Sequence, residues 1–535
     1  MLSSVYGGKS SRIFTQRNHS PNRYTQLKKM KNFLSIIIGL FLFSNTFSQQ
    51  IQIDSLDLLI HQVIKDYEIP GLSIGIVRND SIIFSKGYGN CEVNKERKVD
   101  ENTTFGIGSI SKSFTALTLG ILVDEGKIDW DDKVKDYLPY FELYAPYVTD
   151  NFTIRDLLIH RSGLKDVSGG TLWYHSDYSR EEIIKRLKYL EPVSGYREKP
   201  AYQNVMYVVA SEIVKTVSGT SWDSFLKTRV FDKLKMNNST SLSTERKANK
   251  NLAQPHIWNE DYKKVAIIQE KGDNLAPGGF IYSSAIEMSN YMRLMLNNGV
   301  FENDTIVSPT IIEEIFKPQI IYPIGSPFNN EFSSYGFGWW LTPFNGHKII
   351  EHSGGIDGMA AQLVMIKDLN IGFVLLTNAS KEPATFILRA LLLKQFLEDE
   401  DNLPDNFYSL VKDWRDNFIK EKKESLRIQL KSKNTKPSLA IKEYSGKYTD
   451  KMYGDIFINN ISEEELEISF SHTKLFRGKL VHWHFDTFKI DWYDIRVPDG
   501  FLTFNFNSKR EILGFSIDQE NLLDVDFGEL KIMKN

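Results

Sequence analysis

At 535 residues the chain is longer than one hydrophobic core usually serves, so two or more domains are expected. Its 41% hydrophobic and 25% charged residues are the composition of folded globular protein and argue against extensive disorder. Of the formal charge of −3, residues 1–48 contribute seven bases and no acid, so the rest carries −10 (−3 less seven); no basic stripe interleaved with aromatics marks a nucleic-acid partner.

In chain order, "KKMKNFLSIIIGLFLFSNTFSQQ" sets Lys28, Lys29 and Lys31 before an apolar run, Phe33 to Phe43, and then Thr46-Phe47-Ser48. That is the order of a secretory signal peptide, and the run is about half of the ~20 residues a membrane span needs. The expectation is cleavage near Ser48, contact with membrane only during export, and a periplasmic or secreted product; Met30 stands where such a peptide would start. The single cysteine, Cys91, leaves no internal disulfide and no cysteine-based metal site.

"IDSLDLLIHQVIKDYEI" has helical spacing that Pro70-Gly71 ends, and "LSIGIVRNDSIIFSKGYG" reads as two strands about Arg78-Asn79-Asp80. The stretch from Glu101 to Tyr335 is mostly helical, broken by turns such as "HRSGL" and "APGGF". β patterning returns in "YGFGWWLTP", "HKIIEHSGG" and "AAQLVMIKDLNIGFVLLTN", with a turn at Asp368-Leu369-Asn370. "EPATFILRALLLKQFLED" then predicts an amphipathic helix opened by Pro383. Strands from both ends would share one antiparallel sheet with the helical block against it, an α+β fold.

Past Glu400, "KEKKESLRIQLKSKNTKPS" suits a charged linker. From Leu439 the alternating runs "DIFINN", "LEISF", "FLTFNF" and "LDVDF" predict a small all-β barrel or sandwich. The expected division is a leader at 1–48, a main domain at 49–400, a linker at 401–438 and a β domain at 439–535.

Ser-x-x-Lys occurs at Ser109, Ser162, Ser224, Ser409 and Ser471, so the bare motif carries little. A serine and a lysine three apart meet only on a helix, and the lysine must be buried to fall from ~10.4 towards 7, a change of about 4–5 kcal/mol. Ser109 alone opens a long apolar helix, in "FGIGSISKSFTALTLGILVDEG", with Gly106 and Gly108 before it. The competing reading is a helix cap at Ser109 with Lys112 on a solvated face.

Those residues, with "TIRDLLIHRSGL", the Tyr202-Gln203-Asn204 of "AYQNVMYVVASEIVKTVSGTSWDSFL" and the His352-Ser353-Gly354 of "EHSGGIDGM", resemble the serine β-lactamase and penicillin-binding protein family in its class C-related branch. The likeness spans Ile53 to Glu398, and the last 97 residues resemble a lipocalin-like β domain. It implies Ser109 as nucleophile, Lys112 as its base and Tyr202 as a second proton carrier, a phenol lowered towards neutrality by a nearby ammonium. It implies Asn204, His352 and Gly354 as substrate-binding residues, and the backbone N–H groups of Ser109 and Gly355 as the oxyanion hole. No metal and no organic cofactor are expected. The partner would be a small-molecule, peptide or ester substrate; the oligomeric state is open.

Histidine at 352 departs from the lysine of β-lactam-recognising members and attracts a carboxylate less. That favours a peptidase, amidase or esterase over a true β-lactamase or DD-carboxypeptidase; a non-catalytic receptor on the same fold is the rival class. "GLSIG", Gly71 to Gly75, mimics a nucleophile elbow but precedes a strand rather than a helix. "HWH", His482 to His484, would put two imidazoles on one strand face, with no third ligand in sight. Trp173, Tyr174, Trp339 and Trp340 either line the pocket or pack.

Overall fold

The computed structural model describes residues 53–323, 332–380, 383–397, 406–425 and 431–535, apart from 433 and 521. The leader and its expected cleavage point lie outside these residues, as does part of the charged linker.

Helix α1 covers Ile53–Asp66, and strands β1 (Gly71–Arg78) and β2 (Ser81–Gly89) form the expected hairpin. Its turn residues Asn79 and Asp80 both have positive φ, the geometry that matches strand twist across a two-residue connection. Six strands follow late in the domain: β3 (Ile320–Tyr322), β4 (Ser333–Tyr335), β5 (Trp340–Phe344), β6 (His347–Ile356), β7 (Met359–Ile366) and β8 (Ile371–Thr377). They join the hairpin in one antiparallel sheet ordered β2-β1-β8-β7-β6-β5-β4-β3. Strands from both ends of the domain thus share one sheet. Ser73 is an ordinary buried residue of β1, so the elbow mimic is a strand.

The helical block lies between β2 and β3 in sequence. Its central helix α2 (Ser111–Asp124) is buried from Ser111 to Leu122, as a helix apolar on every face must be. Phe114, Leu117 and Ile121 each add about 1.5–3 kcal/mol of burial. Helix α3 (Val205–Ser218) packs on α2, and α4 (Ala285–Leu296) packs on β1. Gly75 permits that approach, since a Cβ there would collide with Ser289 and Ala285. Helix α5 (Ala384–Phe396) is buried on most of its surface, against the expected amphipathic pattern. Its one buried cation, Arg389, is paired through two nitrogens with Glu351 of β6. Helix α6 covers Phe407–Ser425.

The C-terminal strands β9 (Gly446–Asp450), β10 (Gly454–Asn460), β11 (Leu466–Phe470), β12 (Arg477–His484), β13 (Thr487–Trp492), β14 (Gly500–Phe506), β15 (Ile512–Gln519) and β16 (Ile532–Lys534) close into an eight-stranded barrel. Closure removes the open edges a sandwich would leave. One expected strand is not one. "LDVDF" forms the turn between β15 and β16, where Leu522 bridges Val525 and Asp526 caps a short 3-10 helix. The "HWH" strand carries a register shift between His482 and His484, so the two rings do not sit as an aligned pair, and His482 Nε2 bonds the Phe485 carbonyl.

Candidate active site

Ser109 sits on a single 3-10 turn, Gly108–Ile110, that leads directly into α2. Gly108 has φ +54, which only glycine adopts freely, and a Cβ there would strike the backbone of Gly354 and Gly355. A Cβ on Gly354 would in turn strike the Ile107 carbonyl. Two glycines thus let the β6 backbone lie against the Ser109 turn. Gly354 spaces the two backbones, and the Gly355 nitrogen lies against Gly108, the residue before Ser109.

Helix geometry carries Lys112 back towards Ser109, with Nζ 3.1 Å from Oγ. The amine is fully buried and bonds Asn204 Oδ1 at 2.6 Å and the Gly278 carbonyl at 2.7 Å. Burial brings its pKa down to about 7, opposed by the negative charge of Asp524. A neutral amine has two N–H donors and one lone pair. With Asn204 and Gly278 taking the donors, the lone pair is left for the Ser109 hydroxyl. Of the other Ser-x-x-Lys lysines, Lys165, Lys227 and Lys412 are well exposed and paired with acids.

Tyr202 completes the cluster, its ring centre 4.6 Å from Lys112 Nζ. Its buried hydroxyl makes no hydrogen bond among the described residues. The expected lowering of this phenol is reversed: burial holds its pKa well above 10, and the nearby Ser109 only tempers that. Lys112 near 7 is too weakly charged to offset desolvation. Tyr202 is therefore protonated in the free protein, not a standing phenolate.

His352 also differs from expectation. It is 1% exposed, and its Nδ1 lies 2.6 Å from the Ser353 carbonyl and Nε2 2.9 Å from Tyr335 Oη. A carbonyl only accepts, so Nδ1 carries the proton and Nε2 accepts from Tyr335. Burial and the nearby Lys112 lower its pKa to about 3. In this structure it packs beside Tyr202 as a neutral ring with both nitrogens hydrogen-bonded within the protein. His160, whose "HRSGL" segment reads in sequence as a mere turn, lies beneath it: its ring is 4.3 Å from Tyr202 and 4.5 Å from Tyr335. Trp173, Tyr174 and Trp339 pack in the core; Trp340 is partly exposed and sits 6.5 Å from His352.

The barrel supplies a residue that no motif announces. Asp524, at φ +61 in the β15–β16 turn, takes a 2.8 Å bond from Asn204 Nδ2. Burial raises its carboxyl. The turn is tied down by Lys165 to Asp526, by Ser168 to Glu529 and by Gly169 N to Glu529 at 2.9 Å. Gly170 has no room for a Cβ against the Asp524 carbonyl. The signal available in sequence was a pair of acids, Asp524 and Asp526, inside a run that otherwise patterns as a strand.

A serine at a helix start, a buried amine at its hydroxyl and a strand of the antiparallel sheet alongside define a serine-hydrolase-like centre. The chain belongs to the Beta-lactamase family, which it matches over residues 56–398, and residues 430–534 match a domain of unknown function, DUF3471. Unguisins hydrolase ungD' of Aspergillus campestris is 26% identical over 78% of this chain and 79% of its own. Penicillin-binding protein 4* of Bacillus subtilis is 29% identical over 58% of this chain and 68% of its own. Among solved structures, the octameric penicillin-binding protein homologue from Pyrococcus abyssi aligns with TM-score 0.59 and 22% identity over 90% of this chain and all of that one.

Proposed function

We propose that this protein is an exported serine hydrolase that cleaves an amide or ester bond through an acyl-enzyme, as a D-peptidase, amidase or esterase. The observation that carries the reading is Ser109 Oγ at 3.1 Å from a fully buried Lys112 amine poised near neutrality. Lys112 takes the hydroxyl proton as Oγ attacks the carbonyl, and the Ser109 and Gly355 N–H groups receive the oxyanion. Tyr202 relays the proton to the leaving amine or alcohol, which departs and leaves an ester on Ser109. Water, activated through the same Lys112 and Tyr202 pair, then hydrolyses that ester. Asn204 holds the amine in register.

The charges around Ser109 favour substrates without a carboxylate near the scissile bond. His352 is a neutral ring, and the barrel contributes an anion at Asp524. Both oppose recognition of the carboxylate that a β-lactam or a peptide C-terminus would bring. A relative named as a hydrolase supports cleavage rather than mere binding. Export rests on the basic, apolar, small-residue order of residues 28–48, and N-terminal sequencing of secreted protein should begin near Gln49.

The deciding experiment is labelling by a fluorophosphonate. Wild-type protein should label and Ser109→Ala should not; equal labelling of both moves the nucleophile elsewhere. p-Nitrophenyl esters and D-amino-acid amides should turn over, and rapid nitrocefin hydrolysis would reverse the reading of His352 and Asp524.

A further inference from the structure

Away from Ser109, three loops bring metal-ligating side chains to one point: His175, Glu270 and Asp357. His175 follows the short helix Gly170–Trp173 with left-handed φ +48. Glu270 lies between the strand Lys264–Ala266 and the turn Asp273–Leu275. Asp357 is in the β6–β7 turn, two residues beyond Gly355. We propose that His175, Glu270 and Asp357 bind one divalent transition-metal ion, zinc by preference, which pins the β6–β7 turn to the two other loops.

The spacing fits. His175 Nε2 lies 3.3 Å from Glu270 Oε2 and 3.5 Å from Asp357 Oδ2, and all three ligand atoms fall within 4.8 Å of one another. A tetrahedral zinc with bonds of about 2.0–2.2 Å needs ligand atoms about 3.3–3.6 Å apart, so two of the three edges are already set. An imidazole with two carboxylates also suits zinc or manganese better than magnesium. The outer contacts orient the ligands: His175 N donates to Glu270 Oε1 at 2.8 Å, and Tyr174 Oη donates to Asp357 at 2.6 Å.

A second observation points to a missing cation. Glu270 is 6% exposed, yet its Oε2, the atom aimed at the cluster, has no hydrogen-bond donor among the described residues. A buried carboxylate oxygen in that condition is costly. Arg496 of the barrel does not fill the need. Its guanidinium grips Asp494 at 2.7 and 2.6 Å and reaches His175 Nε2 at 3.3 Å. A guanidinium only donates, so that contact requires the lone pair on Nε2, the form a metal takes. Three carboxylates against one guanidinium leave two negative charges, which one divalent ion balances. The His175 and Asp357 side chains are 14% and 13% exposed, so an ion can enter from solvent.

The test is metal content and thermal stability of the full chain. Chelator-stripped wild-type protein, dialysed against zinc chloride, should retain one equivalent by elemental analysis and unfold at a higher temperature than the stripped form. Glu270→Gln keeps shape and removes the ligand charge; it should weaken zinc retention at least about tenfold and abolish the thermal shift, with an unchanged circular dichroism spectrum. Should that variant not fold, His175→Asn is held to the same expectation. Only trace zinc and no thermal shift in the wild type, or wild-type retention by the folded variant, would overturn the site.

Discussion

The two walls that meet at Ser109 are built by different physics. One wall is apolar packing: Lys112 is fully buried on a helix with no solvated face, and Tyr202 and His352 each pack edge-on against Tyr335 behind it. The other is the β15–β16 turn of the barrel, held by ionic and backbone contacts from Asp526 and Glu529 to the 165–169 segment, with the Lys165 side chain 53% exposed. The first arrangement moves pKa values and, on the proposed reading, would supply the chemistry. The second places one charge, Asp524, and on that reading would set what is admitted. Rate should be concentrated in the first wall and selectivity in the second.

The largest effect tests that division. Lys112→Met removes the base while keeping volume and should cost ~10³–10⁴-fold in kcat, with Tyr202→Phe close behind. Asp524→Asn should cost about tenfold or less, most of it in KM and least for anionic substrates. If Asp524→Asn were the more damaging in kcat, the barrel would share the chemistry and the division would fail.

Acid should find the packed wall next. His352 has a folded pKa of about 3 against ~6.5 unfolded, so between these values the unfolded chain binds the proton first. Its contribution is complete above about 6.5 and is lost as pH falls towards 3, reaching about 2 kcal/mol by pH 5. Denaturant melts at pH 7 and pH 5 should show that gap in the wild type and a smaller one in His352→Gln. An identical gap in both would place the acid sensitivity elsewhere, His160 and His256 being further buried rings whose pKa burial lowers.

Much of the packed wall was legible because it is local. Ser109 and Lys112 sit three apart on a helix whose apolar run guarantees burial, and that alone separates them from four identical motifs. The sheet was legible too, through its period-2 runs. What failed were questions of environment. Tyr202 was expected to be acidified by a neighbouring cation, but desolvation dominates it, and burial is not written in a three-residue motif. Nor could the sequence show that Tyr335, 17 residues earlier, bonds the second nitrogen of His352. Asp524 was unreadable for a further reason. It is 320 residues from Asn204, inside "LDVDF", whose alternation is that of a strand until the barrel closes without it.

The smallest effect bears on how the two walls communicate. Asp524 opposes the fall of the Lys112 pKa, so its charge should be visible in the pH dependence of kcat/KM. The protonated amine cannot accept from Ser109, so activity should rise with pH through a limb at about 7. Asp524→Asn removes the opposing charge, and the limb should move to lower pH, by less than about one unit because one charge is neutralised and Asn204 remains bonded to Lys112. Asp526→Asn weakens the pair with half-exposed Lys165 that anchors the turn, an interaction of about 0–1 kcal/mol, keeps an amide oxygen to cap the short 3-10 helix, and should leave the limb in place while loosening KM slightly. A limb displaced equally by both variants would mean that the position of the turn, and not the charge of Asp524, sets the poise of Lys112.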